Sequence, residues 1–589
     1  MNRREFISLL AKASITASLA GCRSNLSDPP NLYQVPLSGS ARLLHITDTH
    51  AQLLPIYFRE PSVNLGMGPA NGKLPHRVGK NLLQMLPETD ALQTHAFTYL
   101  DFTEAAETYG KVGGFSHLST LIQQLRDDAN GALVLDGGDT WQGSGTALWT
   151  RGKDMVGACN LLGVDVMTGH WEFTYQTDEI HQNIKQFNGD FVAQNIRATE
   201  DALFEGIDVF DDETGHVFPP YTIKTLHGRR IAIIGQAFPY TPIANPRRFI
   251  PDWTFGIQET ELAELIDIIR STQSPDAVVL LSHNGMDVDL KLASRVSGID
   301  FILGGHTHDG VPIPVEVKNP GGTTVVTNAG SNGKFVGVLD LQFNEQFKQK
   351  QGVSGYQYRL LPVFANLITA DPIMSSYIDE IRKPFAKKLN EELATAETLL
   401  YRRGNFNGTF DQVICDALLE QLNAEISLSP GFRWGTSVLP GDQITMERVL
   451  DQTCITYPET YARNMKGAEL KQILESVADN LFTPDPYYQQ GGDMVRTGGI
   501  NYVCTPGEKM GNRISNMTLR NGSNVEPNKD YKVAGWATVG SQAPGEPIWD
   551  VVADHLRSIG TVKLASVETP LLRGSKSNPG IADYAGIIQ

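Results

Sequence analysis

Short apolar runs that break off at a His or an Asp recur through the first half of this chain. Residues 132–144 (ALVLDGGDTWQGS) show the pattern most clearly, because the apolar stretch stops at a carboxylate, Asp139, set between glycines and small polar residues. Such a run reads as a buried strand whose carboxyl end opens into a loop, the place where open α/β sheets put ligands. Other runs end alike: ARLLHITDTH at Asp48 and His50, VDVMTGHWEFT at His170, DAVVLLSHNG at His283, and IDFILGGHTHDG at His306 and His308. A lone His or Asp at a strand end is usually a turn residue satisfied locally. Two carboxylates and five imidazoles gathered at successive strand ends are instead a metal-ligand set.

Helical periodicity fills the intervals. KVGGFSHLSTLIQQLRDD carries apolar residues at helical spacing directly before the Asp139 strand, and similar patterns cover 153–163, 178–187, 259–271 and LKLASRVSG. Residues 217–237 read as hairpin strands, and TTVVTNAGS with FVGVLDLQFN as antiparallel closing strands. Residues 55–110 show no sustained periodicity and are expected to form an insertion over the mouth of the site. The outline is a layered α/β fold with its site at strand ends. A charged helical pattern over 371–398, broken by Pro384, serves as a connector to a second α/β or α+β region. There DQVICDALLEQLNAE and KGAELKQILESVADN read as helices, and RISNMTLRNG and KDYKVAGWATV as strands. The expected partition is an export signal (1–21), a spacer (22–40), a metal-binding catalytic domain (41–365), a connector (366–400) and a substrate-recognition domain (401–589).

Composition narrows the function. With 49 Lys plus Arg against 66 Asp plus Glu, the formal charge is −17, and no basic run interrupts it, so the long-range field repels nucleic acid. The start, MNRREFISLLAKASITASLAGC, has Arg3-Arg4, an apolar run too short to span a bilayer, and small residues before Cys22. It reads as a twin-arginine export signal, which places the mature protein in the periplasm. Leu19-Ala20-Gly21-Cys22 resembles a lipoprotein cleavage site that would put a lipid anchor on Cys22. Cys159, Cys415, Cys454 and Cys504 lack CxxC spacing, which excludes a zinc ribbon and leaves buried thiols as the simplest reading.

Asp48-Thr49-His50, Gly-Gly-Asp139, Gly169-His170, Ser282-His283 and Gly-Gly-His306-Thr307-His308 resemble, in order and spacing, the calcineurin-like dinuclear metallophosphoesterases of the 5′-nucleotidase superfamily. The resemblance implies a layered β-sandwich flanked by helices, followed by a C-terminal 5′-nucleotidase-type α/β domain. It also implies one metal on Asp48, His50, Asp139 and His308, and a second on Asp139, His170, His283 and His306, with Asp139 bridging. One stretch departs from the nucleotidase pattern. Where that family has Gly-Asn-His-Glu-Phe-Asp, this chain reads Gly169-His170-Trp171-Glu172-Phe173-Thr174, so a ligand Asn has become His170 and the leaving-group His-Asp pair has become Trp171 and Thr174. An indole cannot act as a general acid. An alkoxide leaving group would therefore lose most of a contribution of ~10²–10⁴-fold, whereas a sulfur anion departs with little help, since a plain thiol has a pKa of about 8.5.

GHWEFTYQ, SHNGMDVD, GGHTHDG and YGKVGGFSHLSTLIQQLR resemble the SoxB family of thiosulfohydrolases. That resemblance implies two Mn²⁺ ions as cofactors and, as partner, the SoxYZ carrier protein, whose cysteine S-thiosulfonate would be cleaved to sulfate and a carrier persulfide. Asp139, His170, Trp171 and Arg433 are the candidate catalytic residues. Arg433, in SPGFRWG, and Asp493 with Arg496, in GGDMVRTGG, are candidates for anion recognition, since a guanidinium fork suits a three-oxygen sulfonate. Glu172 reads as a supporting partner of the metal shell, and His45, His117 and His181 as structural. The competing readings are a periplasmic 5′-nucleotidase, and a metal-binding docking subunit without activity.

Overall fold

In chain order the N-terminal strands are β1 (Ala41–Ile46), β2 (Leu133–Asp136), β3 (Val166–Met167), β4 (Asp190–Phe191), β5 (Arg197–Ala198), β6 (Tyr221–Leu226), β7 (Arg229–Gln236), β8 (Trp253–Thr254), β9 (Ala277–Ser282), β10 (Phe301–Gly304), β11 (Val315–Asn319), β12 (Gly322–Asn328), β13 (Phe335–Phe343) and β14 (Val353–Pro362). They form two six-stranded sheets, in the orders β14-β13-β1-β2-β3-β4 and β11-β12-β10-β9-β7-β6, beside a small β5/β8 ribbon. The computed structural model describes residues 32–86, 89–343, 352–540, 542–581, 584 and 586–588. Of the unit Met1–Pro36, only residues 32–36 are described, a turn at 32–33 followed by chain without regular secondary structure; Leu37–Gln589 form the other unit. The expected signal with Arg3, Arg4 and Cys22 lies outside the described residues.

Alternation explains the sandwich. Ala41 and Leu43 of β1, Leu133 and Leu135 of β2, Val279 and Leu281 of β9, and Phe301 and Leu303 of β10 meet in one buried cluster between the sheets. The outer faces are covered too, so β1, β2, β9 and β10 are buried at every position. Even Arg42 of β1 is enclosed, held by both oxygens of Asp340 (Nε–Oδ1 2.7 Å, Nη2–Oδ2 2.8 Å) and by the Leu125 carbonyl (3.1 Å). β1, β2, β3 and β4 run parallel, as do β7, β9, β10 and β12, so their carboxyl ends gather at one edge.

The structure revises several expectations. Residues 55–110 contain helices at Lys80–Leu83, Ala91–Phe97 and Phe102–Tyr109, the second opened by an Asp90/Gln93 capping box. They are too short for a periodicity to stand out. TTVVTNAGS and FVGVLDLQFN are not partners: β12 lies parallel to β10 in one sheet, and β13 antiparallel to β1 in the other. The connector helix Pro372–Arg382 ends before Pro384, and Glu392–Ala396 is a strand rather than helix, paired with Gln443–Thr445 and Thr561–Val562. Leu393, Ala394 and Ala396 are buried there, and tertiary pairing overrides the helical preference of a Glu/Ala-rich stretch.

The C-terminal region carries the expected helices, Thr409–Gln421 and Gly467–Phe482, against a four-stranded sheet ordered Thr460–Lys466, Asp530–Trp536, Ile426–Ser429, Arg496–Gly498. Its apolar cluster extends to Trp171 of the N-terminal region, so the two regions close around the site. Cys159, Cys415, Cys454 and Cys504 are free and buried. Among the described residues no helix is long and apolar enough to cross a membrane.

Candidate metal centre

Each candidate ligand sits just beyond the carboxyl end of a parallel strand: Asp48 and His50 after β1, Asp139 after β2, His170 after β3, His283 after β9, and His306 with His308 after β10. Turning these loops inward requires unusual backbone. Asp48, His50, Asp139, His306 and His308 have φ of 50°, 47°, 57°, 72° and 59°, in the left-handed region that non-glycine residues seldom occupy. Strain of this kind, of order 1–3 kcal/mol per residue, persists where the surroundings over-determine the geometry, and it clusters at functional sites. A glycine permits the closest approach, since a Cβ on Gly305 would lie 2.4 Å from Thr47 Oγ1 and 3.0 Å from Asp48 Oδ2.

The ligand atoms fall into two groups, Asp48/His50/Asp139/His308 and Asp139/His170/His283/His306, each with its donor atoms within 4.8 Å of one another, and Asp139 belongs to both. Asp139 Oδ2 lies 3.1 Å from His170 Nδ1 and 3.1 Å from His283 Nε2. Asp48 Oδ1 lies 3.2 Å from His308 Nε2, which faces His50 Nε2 at 2.9 Å. The donor set fits metal. Buried ring nitrogens of His170 (Nε2) and His306 (Nε2) have no hydrogen-bond partner, and burial holds His306 and His308 well below the usual imidazole range, in the neutral form that ligates. Burial would raise the Asp139 carboxyl, yet His170 and His283 hold it well below the ordinary value. Burial likewise would lower His283, but Asp139 and Asp48 lift it to about 10. A crowd of carboxylates and imidazoles that shift one another so strongly is what a pair of cations would compensate.

Surrounding contacts fix the shell. Glu172, fully buried, accepts from the backbone N–H groups of Asp139 (3.2 Å), Thr140 (2.7 Å), Trp141 (3.1 Å) and His170 (2.8 Å). It therefore ties two ligand loops together. His283 Nδ1 lies 2.6 Å from the Gly137 carbonyl, which leaves Nε2 for the metal side. The Trp171 N–H donates to Asp139 Oδ1 (2.7 Å), so the residue that replaces the nucleotidase His also orients the bridging carboxylate. His45, His117 and His181 stay outside the ligand groups: His45 is buried without a partner, His117 lies 2.9 Å from the Ile368 carbonyl, and His181 packs against Phe218 and Trp253.

A cleft of ≈ 420 Å³ opens over His170, His306 and His308. Its wall is aromatic. Phe432 stacks on Trp434 at 4.0 Å, both meet Trp171 edge-on at 5.7 and 5.2 Å, and Phe238 stacks on His306 at 4.0 Å. Arg433, between Phe432 and Trp434, also lines the cleft; its Nη2 donates to the Gly492 carbonyl (3.0 Å), and its Nε lies 3.8 Å from Asp493 Oδ1. Arg496 is not among the residues that line this cleft. It is fully buried at the start of its strand, where Nη2 donates to Asp493 (3.3 Å) and the Gly404 carbonyl (2.9 Å) and Nε lies 3.5 Å from Asp411, so it braces Asp493 from behind rather than lining the cleft. Thr174 is likewise outside the lining, hydrogen-bonded to Thr456.

Sequence reasoning missed Phe238, Phe432, Trp434, Arg403 and Asn405. Phe238 follows β7 in GQAFPY, another strand end that the His/Asp rule passes over. Arg403 and Asn405, in YRRGNFNG, line a polar chamber behind Arg433, and Asn405 Nδ2 donates to Asp493 (3.0 Å). A paired arginine in a Gly/Asn-rich loop was the available signal.

Comparisons with known proteins agree with this geometry. The calcineurin-like phosphoesterase family model matches residues 41–310, and the 5′-nucleotidase C-terminal domain model matches residues 392–553. The solved sulfate thiohydrolase SoxB of Thermus thermophilus, in complex with glycerol, superposes with a TM-score of 0.83 at 35% identity, covering 91% of this chain and 97% of that one. A 5′-nucleotidase precursor from Thermus thermophilus shares the fold, with TM-score 0.70 at 20% identity over 90% of this chain and 99% of that one. The trifunctional nucleotide phosphoesterase YfkN of Bacillus subtilis is 24% identical over 81% of this chain, which spans about a third (34%) of that longer protein. Fold and site thus define a hydrolase of the metallophosphoesterase/5′-nucleotidase superfamily with two candidate metal sites. Within that superfamily, the chain belongs to the SoxB family.

Proposed function

We propose that this protein is a thiosulfohydrolase that cleaves a cysteine S-thiosulfonate on a SoxYZ-type carrier, with two Mn²⁺ ions in the Asp48/His50/Asp139/His308 and Asp139/His170/His283/His306 groups. The observation that carries the reading is the Trp171 wall. The nucleotidase acid pair is absent, Thr174 is tied to Thr456, and the space beside the ligands is an aromatic slot rather than a proton donor. When bound, the two ions supply a water of lowered pKa and a clamp for the attacked anion. The overall change is Cys–S–S–SO₃⁻ + H₂O → Cys–S–SH + HSO₄⁻. The bond broken joins the outer carrier sulfur to the sulfonate sulfur, the water oxygen goes to sulfate, and the electron pair stays on the carrier sulfur. No outside oxidant or reductant enters.

The chain's own residues divide the work. Asp139 and His170 hold the centre, and the Trp171 amide keeps Asp139 oriented. Arg433 offers its guanidinium to the sulfonate oxygens, with Asp493 fixing its approach and Arg496 bracing Asp493. Trp171, Phe432 and Trp434 exclude water from the slot that would take the carrier's terminal segment. Residues 41–365 would carry the metals and 401–589 the recognition surface, in a periplasmic protein exported folded through the Arg3-Arg4 signal and tethered if Cys22 is acylated.

A 5′-nucleotidase activity is the second reading, supported by the C-terminal domain match and by an aromatic cleft that would also accept a base. One preparation given AMP and, separately, a thiosulfonated carrier separates the two. Sulfate release with little AMP turnover is expected, and brisk AMP hydrolysis without sulfate overturns the proposal. The double variant Trp171→His, Thr174→Asp sharpens the test. It should leave sulfate release no faster, whereas a nucleotidase with altered residues should gain up to ~10²–10⁴-fold in phosphomonoester hydrolysis.

A further inference from the structure

The metal centre has a second face. His306, Arg433 and the Gly491–Asp493 turn wall the aromatic cleft on one side and, on the other, a polar chamber of ≈ 50 Å³ lined by Asn64, His76, Asp287, Asp309, Arg403 and Asn405 among others. Asp287 and Gln489 of that chamber also line an outer groove of ≈ 950 Å³, so these side chains form the partition between the chamber and the outside. The partition is held by side-chain contacts: His76 Nε2 sits 2.9 Å from Asp287 Oδ2, and Gln489 Nε2 donates to the Thr483 carbonyl at 3.2 Å. Gln489, only partly buried, can swing aside by a fast rotamer change, while the largely buried His76–Asp287 pair stays in place.

The two routes differ in chemistry. Beyond Arg433 and the metal ligands, the front cleft is walled mainly by aromatic and aliphatic side chains, Trp171, Phe432, Trp434, Phe238, Ile243 and Val539, so a small dianion leaving Arg433 that way would meet few donors to replace its hydration. In the rear chamber, Arg403 pairs with Asp309 (3.5 Å), Arg433 faces Asp493 and His76 faces Asp287, so each carboxylate has a cationic partner; the buried Arg403 Nε has no hydrogen-bond partner. The carboxylates are thereby neutralised, and the unpartnered Arg403 Nε is the donor left to take over one of an anion's water contacts.

We propose that the rear chamber is an exit for the small tetrahedral oxyanion product, passing between Asp287 and Gln489 while the macromolecular substrate still fills the aromatic cleft. This rests on the reading of the cleft as the carrier's slot, and it would uncouple anion release from carrier release.

The test uses the metal-loaded full chain and tungstate as a tetrahedral oxyanion, read as tungsten retained by the protein after timed mixing and rapid gel filtration, so that it stands apart from turnover. Ile243, half exposed at the front rim, is changed to cysteine in a Cys22→Ser background and capped with a bulky maleimide, the other four cysteines being buried. Tungstate is expected to enter the capped protein within threefold of the uncapped rate. Adding Gln489→Trp, which fills the partition, should slow entry at least tenfold, and Gln489→Ala should restore it. Loss of entry on capping alone, or fast entry in the capped Gln489→Trp protein of unchanged Tm, overturns the exit. With thiosulfonated carrier, Gln489→Trp should lower steady-state kcat at least tenfold while the single-turnover rate is kept. Absence of any sulfate from the wild type would instead sink the functional reading and leave the tungstate result to decide the passage.

Discussion

The two walls of the cleft are built on opposite physical principles. The metal wall comes from five strand ends of a buried sandwich, and it holds charge in a strained, over-determined backbone. The facing wall comes from C-terminal loops and presents a stack of aromatic rings around a single arginine, with its ion pairs arranged behind it. The contrast teaches that chemistry and selection are separable here. A rigid sheet can fix ligand positions to within a hydrogen-bond length, while loops can change the shape of the slot without disturbing them.

The largest test of that separation is Asp139→Ala. Removing the shared ligand should empty both metal groups and lower activity on the order of 10⁴-fold or more, with the fold retained. Metal analysis beside circular dichroism checks it, and two metals at wild-type occupancy would show that the ligand is not shared.

On the opposite wall, Arg433→Met and Arg496→Met should fail in different ways. The first should cost ~10²–10³-fold in kcat/KM with metal content and Tm nearly unchanged, since it loses a charge-assisted contact to substrate. The second should destabilise by about 3–5 kcal/mol because Asp493 and Asp411 lose a buried partner. Denaturant unfolding and steady-state kinetics on both variants decide it, and equal effects would erase the distinction between facing and bracing arginines.

A smaller effect sharpens the account of the metal wall itself. Glu172→Gln keeps the shape but weakens the acceptor for four backbone amides, and metal affinity should fall ~10–100-fold, measured by chelator competition.

The smallest concerns pH. Asp289, buried against Ser282 Oγ (2.7 Å) and Asn284 Nδ2 (3.0 Å), has its carboxyl pushed up to about 7 by burial. A folded-state pKa above the unfolded one means that the native state binds the extra proton. The stability is then fully present below the unfolded value and is lost as pH rises through about 7. Tm should fall across that window, and Asp289→Asn should flatten the fall; an unchanged slope would place the titration elsewhere.

Much of the metal wall was legible in the sequence, because a strand that ends in Gly-Gly-Asp or Gly-His writes both its burial and its ligand into consecutive residues. Glu172 was readable as a supporting residue, although its four amide partners, spread over residues 139–170, were not. Much of the aromatic wall was not legible. Phe238 and the Phe432–Trp434 pair come from segments almost 200 residues apart, and nothing local distinguishes them from core residues. Arg496 misled for the same reason: a guanidinium on a Gly-rich loop looks like an anion ligand until its buried carboxylate partners are seen.

By itself, the sequence determined the elements whose code is local: the parallel strands through their unbroken apolar runs, the longer helices through their period, and the ligand types at the strand ends. Only the tertiary structure decided which strands share a sheet, which arginine faces the cleft, and that a second, polar chamber lies behind the metal ligands. Those outcomes depend on pairing and packing between residues far apart in the chain. Their free energy comes from burial and complementary charge in three dimensions, which no single stretch of sequence contains.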